Sequence, residues 1–241
     1  MKGSYHYIIT PCDIDADGRA TLTALCHYVL AAAGEDADRN GFGVEALNVE
    51  NHTWVLSRMA LEISRMPAAG DSLTVRTWVS EVGRVMTTRN MVVIDAGGQQ
   101  IAAAVTQWAI IDVTRRTAVD IRTLLDYRDV ATDELSPIGQ PRRLAAFVPE
   151  RDMSYMVTEG DIDFNSHMNS LRYIDLMVSM LADRNMEEVR RFDIAFLHEA
   201  LLGQSLSVRC CEGMGEANEA LFEIAVDGGE TICRAALSFY L

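Results

Sequence analysis

Eight consecutive residues, Asp163-Phe164-Asn165-Ser166-His167-Met168-Asn169-Ser170, bring a carboxylate, an amide and an imidazole within a few positions of one another. A carboxylate and an imidazole can relay a proton and an amide can hold water or a polarised carbonyl, so the group contains what attack on a carbonyl carbon needs. Just beyond it, Leu171, Ile174, Val178 and Leu181 fall three or four apart and predict a helix from about Met168 to Ala182. A helix N-terminus presents unpaired N–H groups and the positive end of the macrodipole, both of which favour a developing oxyanion. The same residues allow a plainer reading, in which Asp163 or Asn165 caps the helix and His167 is an ordinary polar side chain.

The elements that must position this group occur twice. In the first half a strand runs to about residue 11, and Leu22, Leu25, Val29 and Ala32 predict a helix over about Thr21 to Ala33. Strand-like segments follow at Trp54–Ile63, Ser72–Glu81, Thr87–Ile94 and Ile101–Val113, with Gly70-Asp71, Gly83 and Ala96-Gly97-Gly98 as turns. After the second helix come Arg191–Phe196, Ser205–Cys211, Ala220–Val226 and Thr231–Tyr240, with Gly228-Gly229 as a hairpin turn. Asp13-Ile14-Asp15 before the first helix matches Asp161-Ile162-Asp163 before the second at an offset of 148 residues. This order predicts an α+β fold of two tandem hotdog domains, each a long helix wrapped by an antiparallel β-sheet, together forming a pseudo-dimer. The expected boundaries are 1–132 for the first domain, 133–149 for a linker holding three of the five prolines and Arg142-Arg143, and 150–241 for the second. Where the second copy has Asp163, Asn165 and His167, the first has Asp15, Asp17 and Arg19. Only one copy keeps the amide and the imidazole, as expected if one retained the reaction and the other became scaffold. Plain divergence would give the same letters.

Composition narrows the chemistry further. The 35 acidic and 21 basic residues give a formal charge of -14, which disfavours nucleic acid and anionic membrane as partners. Lys2 is the sole lysine and stands in a terminus expected to be mobile, which argues against Schiff-base chemistry and a P-loop. The longest apolar runs, such as Leu25–Ala33, fall short of the roughly 20 residues of a membrane span, and no secretory signal pattern opens the sequence, so a cytoplasmic address is expected. Five cysteines without CxxC spacing argue against a zinc ribbon or a disulfide framework and suit small buried side chains. Asp13-x-Asp15-x-Asp17-Gly18 resembles the start of a calcium loop, but position twelve is Ala24 rather than glutamate, so a turn with helix-capping carboxylates is expected. Histidines 6, 27, 52 and 198 show no metal-ligand spacing, and neither a metal nor a cofactor is expected.

The segment Asp163-x-Asn165-x-His167-Met168-Asn169-x-x-x-Tyr173 resembles the signature of the acyl-ACP thioesterases, which end fatty-acid synthesis in plant plastids and have bacterial relatives. In the first half, Trp54-Val55-Leu56-Ser57-Arg58-Met59, Arg65-Met66-Pro67, Gly70-Asp71, Thr77-Trp78, Gln107-Trp108 and Thr114-Arg115-Arg116 match that family in type and spacing. The resemblance implies hydrolysis of fatty acyl-acyl carrier protein to free fatty acid, with an acyl-chain pocket in the first domain and catalysis in the second. It adds Glu199, on a strand after the second helix, to Asp163, Asn165 and His167 as the catalytic set. Ala200 stands where the family often has cysteine, Ser170 where it usually has a second asparagine, and Leu176 where it often has tryptophan. A satisfied structural histidine is the expected reading of His198, with tuning of the site beside Glu199 as its alternative.

Acyl carrier protein is itself acidic, so docking on this chain calls for a local basic patch, with Arg115, Arg116, Arg142, Arg143 and Arg172 as candidates. A homodimer is the assembly to test. The competing readings are an acyl-CoA thioesterase or other hotdog enzyme, and a non-catalytic acyl-thioester sensor.

Overall fold

In the computed structural model, residues 2–124, 130–181, 184–213 and 218–240 are described. The chain divides into two compact units, Met1–Pro141 and Arg142–Leu241. The first contains β1 (Lys2–Ile8), α1 (Leu22–Arg39), a short α2 (Val44–Asn48), β2 (His52–Ile63), β3 (Ser72–Val82), β4 (Thr87–Asp95), β5 (Gln100–Asp112), a two-residue β6 (Thr117–Ala118) and α3 (Ile121–Leu124). The second contains β7 (Arg151–Met156), α4 (Ser170–Ser179), β8 (Val189–Phe196), β9 (Ser205–Glu212), β10 (Glu219–Val226) and β11 (Thr231–Phe239).

Both units carry one topology. In the first, antiparallel pairing runs β1-β3-β4-β5-β2. In the second, it runs β7-β9-β10-β11-β8, the same order strand for strand. α1 packs on β1, β3 and β4 through a face that includes Leu22, Leu25, Val29 and Ala32, all at most 1% exposed. In β5 the run from Ile101 to Thr106 is buried on both faces, which is why it reads as an unbroken apolar stretch rather than an alternating one. In the second unit α4 packs against β9, burying Tyr173, Ile174, Leu176 and Met177, while Leu171 and Val178 of the expected face stay half-buried.

Four expectations need correction. α1 continues two turns beyond Ala33, because its polar end finds partners on the sheet: Asp36 pairs with Arg89 of β4 at 2.6 Å, with both side chains only 6% exposed, and accepts from Tyr5 Oη of β1 at 3.0 Å. Burial, reinforced by that carboxylate, pushes the Tyr5 phenol up to about 12. α4 starts at Ser170 and ends at Ser179, inside the span expected, and Ala182 lies outside the described residues. β7 was not anticipated, since Arg151-Asp152-Met153-Ser154 is polar and the strand pairs only with β9. Lys2 does not occupy a loose end either, as it lies in β1 opposite Trp78 and pairs with Glu134. Residues on either side of the division are tied to their own unit, through Thr132 N to Val79 O at 2.8 Å in the first and Arg142 N to Asp193 Oδ1 at 3.0 Å in the second.

Candidate active site

The loop from Thr158 to Asn169 carries three of the four expected site residues, and its own polar groups shape it. Asp161, 1% exposed, accepts from Thr158 N, Thr158 Oγ1, Tyr155 Oη and Arg172 Nε, each at 2.8 Å. Burial would raise this carboxylate, but the Thr158 amide, Arg172, Tyr155 and the Thr158 hydroxyl outweigh it and hold the group at about 2. Asp163 closes the next turn: its Oδ1 accepts from Asn165 N at 2.8 Å and His167 N at 3.5 Å, while its own N–H donates to His167 O at 2.8 Å. Ser166 takes a left-handed conformation, φ +65°, at a cost of about 1 kcal/mol for a residue with a Cβ.

Asn169 caps α4, its Oδ1 accepting from Leu171 N at 2.9 Å. The capping reading of Asp163 and Asn165 is therefore set aside, and so is that of Asp13 and Asp15, because Thr21 caps α1 by accepting from Ala24 N. Most first-turn donors of α4 are committed: Asn169 N to Asp161 O, Leu171 N to the cap, and Arg172 N to Asn169 O.

Glu199 lies in the turn after β8, not on a strand, and its Oε2 stands 3.0 Å from His167 Nε2. Met168 N donates to Ala200 O at 2.9 Å, lacing the two loops together beside that pair. His167 and Glu199 keep 22% and 30% of their side chains exposed, so they can be reached from outside. Asn165 is half-buried in the same loop as His167. Phe164, Leu197, Leu201 and Leu202, all exposed, add apolar surface to these two loops. His198 points elsewhere, to Glu230 at 2.7 Å, which removes it from the site.

Arg142 and Arg172 leave the docking candidates for a similar reason. Arg142 is bound by the fully buried Asp193 and by Glu219, Arg172 by Asp161 and Asp175. Arg115 and Arg143 remain exposed. Cys12 is exposed while Cys26, Cys210, Cys211 and Cys233 are buried free thiols, and burial raises Cys26 and Cys233 away from thiolate chemistry. Among the described residues, no group of three or more His, Cys, Asp or Glu is placed to hold a metal ion, and no helix is long and apolar enough to cross a membrane.

The first unit builds the same loop without the same chemistry. Asp15 Oδ1 accepts from Asp17 N and Arg19 N, Asp15 N donates to Arg19 O, Gly18 takes the left-handed position, and Asp13 accepts from Thr10 N and Oγ1. The opposing loop corresponds at an offset of 133: Gly70 N to Ile9 O repeats as Gly203 N to Val157 O, and Ala20 N to Pro67 O as Met168 N to Ala200 O. Glu199 thus falls where the first unit has Met66, a buried apolar side chain.

Two repeats of a helix against a five-stranded antiparallel sheet define the tandem hotdog class. An acyl-ACP thioesterase structure from Bacteroides thetaiotaomicron superposes with a TM-score of 0.89 at 34% identity, over 99% of this chain and 98% of that one. A putative oleoyl thioesterase from Lactobacillus plantarum gives 0.85 at 25% identity, over 99% and 96%. The acyl-ACP thioesterase N-terminal domain profile matches residues 2–127 and the C-terminal domain profile residues 149–241, so the chain belongs to the acyl-ACP thioesterase family. Among curated relatives, it is 24% identical over 192 residues to oleoyl-acyl carrier protein thioesterase 2, chloroplastic, of Arabidopsis thaliana, covering 70% of this chain and 51% of that protein. The dodecanoyl-[acyl-carrier-protein] hydrolase of Cinnamomum camphora is 21% identical, covering 95% and 65%. The chain spans about half the length of the first of these relatives.

Proposed function

We propose that this protein hydrolyses the thioester of fatty acyl-acyl carrier protein, with His167 and Glu199 handling the proton, Asn165 holding water or the carbonyl oxygen, and Asp163 shaping the loop that presents them. The observation that carries the reading is the 3.0 Å contact between His167 Nε2 and Glu199 Oε2, in a loop that also presents Asn165. A carboxylate against one ring nitrogen fixes the imidazole tautomer and favours the imidazolium once a proton arrives. Water attacks the thioester carbon as the pair takes one of its protons. The tetrahedral oxyanion is then met by the Asn165 amide, and the carbon–sulfur bond breaks as the proton passes to the departing thiolate. The products are free acid and the carrier's thiol.

The acyl-chain pocket belongs, in this proposal, to the first unit, and chain length is set there by steric differences of about 1 to 3 kcal/mol per methylene. A cytoplasmic location and a homodimer complete it; cell fractionation and light scattering of the purified protein check them.

The decisive experiment measures free fatty acid released from acyl-carrier-protein substrates of several chain lengths, beside matched acyl-CoA. Hydrolysis that favours the carrier-bound substrate is expected. Binding without turnover on every substrate would replace the enzyme with an acyl-thioester sensor, and faster turnover of acyl-CoA would move the carrier-protein assignment.

A further inference from the structure

Tyr173 is 2% exposed on α4 and holds the Glu199 turn at both ends. Its hydroxyl accepts from Ala200 N at 3.0 Å, directly after Glu199. Its ring meets Phe196, the last residue of β8, edge to face with centroids 5.6 Å apart and planes at 87°. Between these two contacts the turn is fixed from β11, where Leu197 N and His198 N both donate to Ile232 O. Glu199 is thus carried on a segment whose free movement is removed on three sides.

The first unit shows what this turn looks like without a carboxylate to place. The backbone bonds repeat, with Ser64 N and Arg65 N both donating to Ile101 O. At the counterpart of Ala200 stands Pro67, which has no N–H, and at the counterpart of Tyr173 stands Leu25, fully buried and apolar. The fold therefore builds this turn with neither the hydroxyl nor the amide it satisfies. Both occur where the turn carries Glu199 rather than Met66.

We infer that Tyr173 is a positioning residue for catalysis, whose hydroxyl bond to Ala200 N sets Glu199 against His167. This rests on the site reading given above. Burial pushes the phenol well above its ordinary range, so it stays protonated at neutral pH and its oxygen remains a neutral acceptor.

Tyr173→Phe keeps the ring on Phe196 and removes only the hydroxyl. With acyl-carrier-protein substrate, kcat should fall about 10- to 100-fold, the effect of a small misplacement at a reacting centre, while KM stays within about twofold. In a Glu199→Gln background, itself impaired, adding Tyr173→Phe should change kcat by less than about twofold, because the two act as a unit. The combined Tyr173→Leu/Ala200→Pro variant imposes the first unit's solution and should melt cooperatively yet lose the same rate. Wild-type kcat in Tyr173→Phe, or a proportionate further loss in the Glu199→Gln background, overturns the inference while leaving the site reading intact. Failure of both Tyr173 variants to fold also overturns it, since the hydroxyl would then serve the fold. Full activity of Glu199→Gln removes the site reading, and this inference with it.

Discussion

The loops that lead into α1 and α4 share a backbone and differ in what they display. Each fastens to an aspartate that accepts from a threonine N–H and hydroxyl, Asp13 from Thr10 and Asp161 from Thr158. Each then turns on a second aspartate, Asp15 or Asp163, and passes through a left-handed residue. On this common frame the first unit carries Asp17 and Arg19 and the second Asn165 and His167, while the opposing loop has Met66 in the first unit and Glu199 in the second. The comparison separates what the hotdog loop needs in order to fold from what only one copy adds. Polar density alone does not mark a site, because the first loop is as polar as the second; the added feature is a partnered imidazole.

The largest effects should fall on the loops of the second unit and spare those of the first. Replacing His167, Glu199 or Asn165 by alanine should lower kcat/KM about 100-fold or more, with the melting temperature little changed. Arg19→Ala in the first loop should leave the rate within about twofold. Equal losses from both units would show that the first loop also takes part in the reaction.

The second contrast concerns the ends of the helices. α1 runs to Arg39 because Asp36 is held by Arg89 and Tyr5, whereas α4 stops at Ser179. Asp36→Ala leaves the Arg89 guanidinium buried without its counter-ion, and chemical denaturation should show a loss of about 3 to 5 kcal/mol. Hydrogen exchange should show the last two turns of α1 opening first. A neutral result would mean that packing alone sets the helix length.

Acid acts on the aspartate anchors of both loops. Asp161 titrates at about 2 against an ordinary value of 3.8, so its folded form binds protons more weakly than its unfolded form. The resulting stability, about 2 kcal/mol, is complete above pH ~4 and is lost as pH falls toward ~2. Asp13 is lowered too, by Thr10 and Tyr28 acting against the opposing effect of burial. Denaturation from pH 5 to 2 should therefore show a steeper acid loss in wild type than in Asp161→Asn. Parallel curves would remove the anchor role.

The smallest expected effect concerns docking. Arg115→Glu/Arg116→Glu in the first unit should raise KM for acyl-carrier-protein substrate a few-fold at low salt, and leave a small thioester unaffected. An equal rise with both substrates would place the effect on the active site instead.

Much of the molecule was legible from side-chain periodicity. The buried face of α1, the strands after each helix and the 148-residue offset follow from burial patterns local to each segment, which leave their mark in the letters. Asp163, Asn165 and His167 were visible for the same reason, since they share one short loop with the matched tripeptide. Glu199 was not visible in that way. Its 133-residue correspondence joins His198-Glu199-Ala200 to Arg65-Met66-Pro67, which share no residue type, and only the repeated backbone bonds reveal it. The end of α1, from Gly34 to Arg39, lies beyond the apolar spacing that predicted the helix to about Ala33 and is held by partners on β1 and β4. β7 is a polar edge strand defined by the neighbour it pairs with. Sequence determined the elements, their repetition and the polar loop, because those depend on neighbours along the chain. Tertiary structure alone decided that Glu199 meets His167, that Asn169 rather than Asp163 caps the helix, and that Tyr173 holds the turn between them, because those contacts join residues far apart in the chain or competing for one role.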